Sequence, residues 1–394
     1  MGKKLIFHIA PASAAITDML KSRIMGLNRG NFSCLSMSAT YENFLADPSV
    51  DLDGICRYIE SKWMTRDISI VRDLLFFVEV FRETRKNKPD VVITYGPKPG
   101  LYARIAAKLA GTPLVMHVSW GLFFREHDGL PKKTAIASLE LLSTPFSDVV
   151  FSVNKDDIKV INKVNIFRRP VKYLGNATNI HEIFNAKRYS CETIESLKKK
   201  YGITTNTTVT LIGRVVREKG YIEYIDAAKR LESAHKGEVT FLMVGHSDDA
   251  RGNGLHIKEL IKDHDILRYI GAVPVEEMPD ILAISDIVCL PSYREGFPRS
   301  LVEAAAMSKP IVTTDTRGCR EAVDHGKNGF LVPVRDAYAL SQRLDTLISN
   351  PEMRASMGRY SRKIAEERFD EKNLINTLLT TINSELQKKF KGRR

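Results

Sequence analysis

Short apolar runs alternate with amphipathic stretches along the N-terminal half of the chain. Lys4 to Ile9 is a first β-branched run, and Thr17 to Leu27 follows with helical spacing. Ile68 to Thr84 forms a longer amphipathic segment. "PDVVITYG" (89–96) reads as a buried strand ending in a glycine turn. "LYARIAAKLAG" (101–111) carries the small-residue face of a packed helix, with Gly111 as its stop. "TPLVMHVS" (112–119) and "SDVVFSVN" (147–154) continue the series. Strand and helix in this rhythm predict a parallel, doubly wound α/β sheet.

Between 176 and 206 the pattern lapses into a polar stretch without a clean strand period, which marks a domain boundary. The apolar runs then resume with "VTLIGRVV", "VTFLMVG", "LRYIGAV", "DIVCLP", "PIVTT" and "GFLVP", separated by helical segments. They predict a second α/β domain, followed by a helix over Ala337 to Leu347 and a long helical tail from Glu371 to Lys389. The expected division is 1–185, 186–370 and a C-terminal helix with a basic tail over 371–394 that packs back on the first domain. No period of 20 to 50 residues recurs, which argues against a solenoid.

The length of 394 residues suits two domains, and 43% hydrophobic with 27% charged residues suits a folded chain with a sizeable core. The net charge of +12 favours anionic partners such as phosphorylated ligands or an acidic membrane face. Nucleic acid is not expected, because no nucleic-acid-binding motif accompanies the charge. Cys34, Cys56, Cys191, Cys289 and Cys319 lack CxxC spacing, which fits reduced thiols in a cytoplasmic protein. The start "MGKKLIFHIAPAS" reads as a strand rather than a signal peptide, and no stretch near 18 apolar residues occurs.

The chemistry concentrates in "SYREGFPRSLVEAAAMSKP" (292–310). Ser300 and Glu303 have capping-box spacing, so Glu303 has a structural reading as a helix cap. Glu295 lies in a Gly/Pro-punctuated loop at a strand's carboxyl end, where a carboxylate can accept from ligand hydroxyls. "LIGRVVREKG" (211–220) sets Arg214 and Lys219 on a loop just after a strand. Two cations there, with the N-terminus of the helix opening at Leu301, suit a diphosphate. Cations and a helix end for a diphosphate, beside carboxylates for hydroxyls, together suit a nucleotide-sugar.

At these residues the chain resembles the retaining glycosyltransferases of family 4, with GT-B architecture. The family's pattern of a glutamate, seven residues and a second glutamate is matched by Glu295 and Glu303. "GRVVREKG", "GAVPVEEMPDILAISDIVCLPSYREGFPRSLVEAAA" and "GCREAVDHGKNGFLV" follow it through residues 211–333. "YGPKPGLYARIAAKLAGTPLVMHVSWGLFF" and "FSVNKDD" are similar to the branch acting on polyprenyl-diphosphate-linked saccharides in bacterial surface-glycan synthesis. The resemblance implies two Rossmann-like domains facing a cleft, and a UDP-sugar donor, with N-acetylhexosamine or galactose as the transferred unit. It implies no metal, and a lipid-linked or polysaccharide acceptor met at the cytoplasmic face of the inner membrane.

It also implies roles. Glu303 would hold the ribose hydroxyls and Glu295 those of the transferred sugar, while Arg214 and Lys219 neutralise the leaving diphosphate. Ser300 and Leu301 would add backbone donors. Gly213, Gly296 and Phe297 would line the donor, Val273 would lie against the base, and Ser13 would stand in the loop nearest the phosphate. Two departures stand out. Many members have a Gly-Gly turn after the first strand, where this chain has Pro11-Ala12-Ser13-Ala14-Ala15. Many carry a histidine where this chain has Trp120, with His117 and His127 nearby. His117, Trp120 and Lys98 are the acceptor-side candidates. Asp156-Asp157 and Asp248-Asp249 read as first-turn or loop acids rather than metal ligands. A GDP-mannose-dependent mannosyltransferase, a nucleotide-sugar epimerase of the same fold and a non-catalytic subunit are the competing readings. The basic tail and the apolar face of 68–88 could also support peripheral contact with anionic lipid.

Overall fold

The computed structural model describes residues 2–40, 52–65, 67–122, 129, 131, 138–139, 142–246 and 254–391. The chain folds into two compact units, one of residues 1–174 with 372–394 and the other of residues 175–371. The first unit holds strands β1 (Lys4–Ile9), β2 (Phe32–Ser38), β3 (Arg57–Glu60), β4 (Val91–Tyr95), β5 (Leu114–Ser119), β6 (Val149–Ser152) and β7 (Val171–Tyr173). They form one sheet in the order β3-β2-β1-β4-β5-β6-β7, parallel at every pairing. Its helices include α1 (Lys21–Arg29), α2 (Ile70–Asn87), α3 (Arg104–Leu109) and α4 (Lys155–Val164).

The second unit holds β8 (Thr207–Ile212), β9 (Val239–Val244), β10 (Leu267–Tyr269), β11 (Ile287–Leu290), β12 (Ile311–Thr314) and β13 (Gly329–Val332). Their order is β10-β9-β8-β11-β12-β13, again all parallel. Both units are therefore Rossmann-like. A parallel sheet is covered on both faces by its crossover helices, which is why its central strands are unbroken apolar runs. The side chains of β4 and β9 are buried along their whole length.

In a doubly wound sheet the chain leaves in opposite directions on either side of one strand pair, and the strand ends splay there into a crevice. In the first unit that pair is β1 and β4; in the second it is β8 and β11. The loops that follow these four strands carry Ser13, Lys98, Arg214, Lys219 and Glu295.

The segment 175–185, expected with the first domain, is built into the second unit. Asn176 donates from Nδ2 to Phe297 O at 3.1 Å, and Thr178 N–H donates to Phe369 O at 3.0 Å. The polar stretch after it contains a helix over Cys191–Lys200, capped by Ser190 Oγ, which accepts from Thr193 N–H at 3.2 Å. At the other end of the chain, the helix Glu371–Lys391 packs within the first unit. A Cβ on Gly26 of α1, or on Gly30 just past its end, would collide with Ile375 or Leu379 of that helix, so two glycines let the helices approach. Lys389 Nζ closes the contact on Asp148 Oδ1 at 2.6 Å.

Candidate active site

Two loops at the β8/β11 crevice are fastened to each other by main-chain and side-chain bonds. After β8 the chain runs through Gly213 and Arg214 into a single tight turn, Arg217–Lys219, and then into the helix α5 (Tyr221–His235). Gly220 joins turn to helix at φ 77°, and a Cβ there would collide with Pro291 O, so only glycine lets the two loops touch. Across the gap Glu218 O accepts from Tyr293 N–H at 2.8 Å and from Ser292 Oγ at 3.0 Å. Tyr293 Oη donates to Glu223 Oε1 on α5 at 2.6 Å.

The consequence is an ion pair between two residues that the sequence assigned to one site. Lys219 Nζ lies 2.5 Å from Glu295 Oε1, with their side chains 21% and 10% exposed. Glu295 O also accepts from Gly318 N–H at 3.3 Å, and a Cβ on Gly318 would collide with Gly296 O. Three backbone segments thus fix this carboxylate. Cys319 stands beside it; burial first, and then the Glu295 charge, pushes its thiol up to about 11, so it stays protonated at neutral pH.

Helix α6 (Arg299–Ala306) begins at the same loop, and its geometry corrects the capping-box expectation. Pro298 is the N-cap and no side chain caps the helix; Ser300 already lies inside it. Glu303 therefore does not reach back to Ser300. Its carboxylate, on a residue 5% exposed, accepts instead from Arg299 Nε at 2.6 Å. Leu301 and Val302 N–H donate to Pro298 O at 3.3 and 3.4 Å, and no side chain caps the helix, so no capping carboxylate or hydroxyl offsets the partial positive charge of its N-terminal end.

The structure gathers Gly213, Arg214, Lys219, Glu295, Gly296, Ser300, Leu301 and Glu303 on the loops and helix start of one crevice. Arg214 is exposed on the first of these loops, and Leu301 is buried. Gly213 abuts Gly245, whose N–H donates to Gly271 O at 2.8 Å, so three strands in succession end in glycine. Val273 follows Gly271 and packs on a cluster of Ile203, Leu242, Val244, Ile281 and Ile284. Phe297 turns its ring into the packing of its own unit, edge-on to Phe369 with centroids 5.5 Å apart. Ser13 belongs to the other unit, where its N–H donates to Ala39 O at 2.8 Å and its buried Oγ has no partner.

His117, Trp120 and Lys98 all line one pocket of about 280 Å³ in the first unit, with Ile68, Leu101 and Leu139 among its apolar walls. Trp120 leans on Tyr95 at the end of β4, ring centroids 5.6 Å apart, and its buried Nε1 has no partner. Lys98 is tied down: its Nζ lies 2.5 Å from Asp73 Oδ1 and donates to Thr65 O at 2.9 Å, joining its loop to the start of α2. Arg104, which sequence reasoning missed, lies fully buried at the same pocket and donates to Ser143 Oγ at 2.5 Å. His127 and Asp248-Asp249 lie outside the described residues. Asp156 pairs with Lys159 and Asp157 accepts from Leu122 N–H, both in the first turn of α4. Among the described residues no group of three or more His, Cys, Asp or Glu side chains is arranged to hold a metal ion.

His117 bonds Thr94 Oγ1 through Nδ1 at 2.9 Å, and Gly100 packs against its ring where any Cβ would collide. Burial, and then the Arg104 charge, hold its imidazole well below the ordinary histidine range. His8, buried on β1 with Nδ1 3.0 Å from Tyr95 Oη, is pushed down to about 3 by burial. Both rings are neutral in the folded chain at pH 7, whereas the unfolded chain protonates them below about pH 6.5. Their contribution to stability is therefore complete above that pH and is lost as pH falls toward the folded values, at about 1.4 kcal/mol per unit for each ring. Urea unfolding at pH 7.5 and pH 5.5 is expected to show this loss, with a shallower slope in His8→Gln.

Residues 47–177 match the family described as Glycosyl transferase 4-like domain, and residues 193–364 match Glycosyl transferases group 1. The capsular polysaccharide biosynthesis glycosyltransferase CapM of Staphylococcus aureus is 23% identical over 98% of this chain and 99% of its own length. The UDP-Gal:alpha-D-GlcNAc-diphosphoundecaprenol alpha-1,3-galactosyltransferase of Escherichia coli is 26% identical over 72% of this chain and 73% of its own. Among solved structures, a glycosyltransferase from Rickettsia africae superposes with a TM-score of 0.78 at 19% identity, covering 98% of this chain and 99% of that one.

Proposed function

Because the chain belongs to the family 4 glycosyltransferases of GT-B fold, we propose that it moves a hexosyl unit from a UDP-sugar to a polyprenyl-diphosphate-linked or polysaccharide acceptor, with retention at the anomeric carbon. The observation that carries this reading is the pair of carboxylates, Glu295 and Glu303, each held by a cation beside the uncapped start of α6. In this reading the diphosphate lies against that helix end with Arg214 and Lys219, and the carboxylates take sugar and ribose hydroxyls. Charge grows on the diphosphate as the glycosidic bond breaks, so cations placed there bind the transition state more tightly than the bound donor. The acceptor's proton passes to the departing phosphate on the same face, which asks for no protein nucleophile and no metal. His117, neutral and buried, is not the base; it and Trp120 shape the acceptor pocket.

The choice of UDP and of a lipid-linked acceptor is supported by the relatives in capsule synthesis and on diphosphoundecaprenol. The test is transfer from labelled UDP-galactose, UDP-GlcNAc or UDP-GalNAc to a polyprenyl-diphosphate-linked saccharide, with the product's anomeric configuration read by NMR. An α-linked, butanol-extractable product is expected from an α-configured donor. Turnover with GDP-mannose alone would install the mannosyltransferase reading, and donor consumption without acceptor would install the epimerase.

An acceptor of this kind is anchored in a bilayer, and the start of α2 is suited to meet it. No helix among the described residues is long and apolar enough to cross a membrane. Yet Ile68, Ile70, Val71 and Leu74 stand 90%, 85%, 68% and 61% exposed, while Phe76 and Val80 of the same segment are fully buried. The apolar segment therefore has two faces, one in the core and one uncovered, and Ile68 also lines the acceptor pocket. With a net charge of +12, the chain is expected to float with anionic liposomes at low salt and to lose most of that binding in Ile70→Ser/Leu74→Ser. Equal flotation of wild type and variant would exclude this face.

A further inference from the structure

We infer that Arg299 is a positioning residue of the donor site, which holds the Glu303 carboxylate in the orientation that receives the ribose hydroxyls. The inference rests on the reading of Glu303 as the ribose-binding residue. Arg299 Nε donates to Glu303 Oε1 at 2.6 Å, four residues on along α6. An exposed pair at this spacing usually has a bland explanation as helix stabilisation. Here that explanation runs the wrong way. Arg299 is the first residue of the helix, where a cation opposes the macrodipole, and the cation precedes the anion, the less favourable order for such a pair.

The pair makes sense as part of a binding site. Glu303 is 5% exposed, so its charge needs a fixed partner near it, and the side chain of Arg299 is 28% exposed. The bond from Arg299 Nε to Glu303 Oε1 fixes the plane of a carboxylate, whose about four acceptor positions point in directions set by that plane. The planar guanidinium fixes direction in a way that an ammonium does not. Arg299 also raises the positive charge at a helix end that has no side-chain cap, the end that the diphosphate is read to approach. Its cost to the helix is thus offset by what it does for an anion with hydroxyls beside it.

The test is titration calorimetry of the full chain with UDP, 2′-deoxy-UDP and 3′-deoxy-UDP, in wild type and in Arg299→Ala, Arg299→Gln and Arg299→Lys. In wild type, loss of the recognised hydroxyl is expected to weaken binding by about 10- to 100-fold, the worth of a hydrogen bond to a charged group. In Arg299→Ala and Arg299→Gln, UDP should weaken and the ratio of UDP to the deoxy nucleotide should collapse toward one, with Arg299→Lys in between. Apo thermal midpoints close to wild type would show that each variant is folded. With donor saturating, turnover should fall much less than affinity. Wild-type discrimination that Arg299→Ala preserves overturns the inference while the ribose reading of Glu303 stands. A wild-type ratio of one for both deoxy nucleotides overturns the reading and the inference together.

Discussion

Lys219→Ala is expected to lower kcat by about 10²- to 10³-fold, the usual cost of removing one fixed donor from the site of developing charge. Lys219 reaches Glu295 because Gly220 lets the turn at Arg217–Lys219 meet the loop after β11, and because Glu218 O is bonded from both Ser292 and Tyr293. Without the ammonium, the Glu295 carboxylate, 10% exposed, loses its ion-pair partner, and Arg214 is left as the one cation of the two read to hold the diphosphate. Donor affinity should therefore fall as well, so kcat and KM both worsen. Lys219→Arg keeps the charge and should recover part of the loss. In the double variant Lys219→Ala/Glu295→Gln the losses should be less than additive, because the second change removes the carboxylate that the first left unpaired. Additive losses would mean that the two residues act independently.

Gly318→Ala is expected to lower kcat/KM by about 10²-fold, the scale on which a displacement near 1 Å acts on a reaction that depends on placement. A Cβ at this position would collide with Gly296 O and crowd Glu295 O, both main-chain atoms that cannot rotate away. The Gly-Phe-Pro loop must shift, and Glu295 moves with it away from Lys219. Overpacking of this kind also costs about 1–3 kcal/mol of stability, so the thermal midpoint should fall with activity. The two effects separate in one measurement: saturating nucleotide should restore less stability to Gly318→Ala than to wild type, because its binding loop is displaced. A variant with wild-type activity and midpoint would show that the loop yields without moving the carboxylate.

The strands that carry the site were legible because they are buried on both faces. β1, β4, β5, β6, β8, β9, β10, β11, β12 and β13 each appear in the sequence as a β-branched or apolar run ending in a turn. β3 and β7 did not announce themselves, since they are short edge strands, "RYIE" and "VKY", with little to bury. β2 is interior, yet its "FSCLSMS" mixes three serines into a buried strand and hides the period. The helix Cys191–Lys200 passed as loop because its apolar stripe is thin, with Ile194 and Leu197 only partly buried against the core and no residue fully buried.

At the site, the residue types were legible and the pairings were not. Two glutamates and two cations at strand ends imply a ligand with hydroxyls and phosphates. Which cation serves which carboxylate depends on how two loops about seventy residues apart in sequence are fastened together. The Ser300/Glu303 spacing pointed to a cap. Pro298 took that position, and the helix began two residues too early for Ser300 to serve. The i, i+4 relation of Arg299 to Glu303 was visible in the sequence, and it was the cue that would have found the pair. Arg104 had no comparable cue, because a cation in an apolar helix announces a partner only when Ser143 is folded over it.

The central claim is that the β8/β11 crevice binds the diphosphate of a nucleotide-sugar. Thermal unfolding of wild type and Arg214→Ala with UDP, GDP and a panel of UDP-sugars tests it without any knowledge of the acceptor. A nucleotide at a hundred times its dissociation constant contributes about 2.7 kcal/mol, enough to raise the midpoint visibly. The account predicts a clear rise with UDP and with one or more UDP-sugars in wild type, and its loss in Arg214→Ala. No rise with any nucleotide, or the same rise in Arg214→Ala, would contradict it.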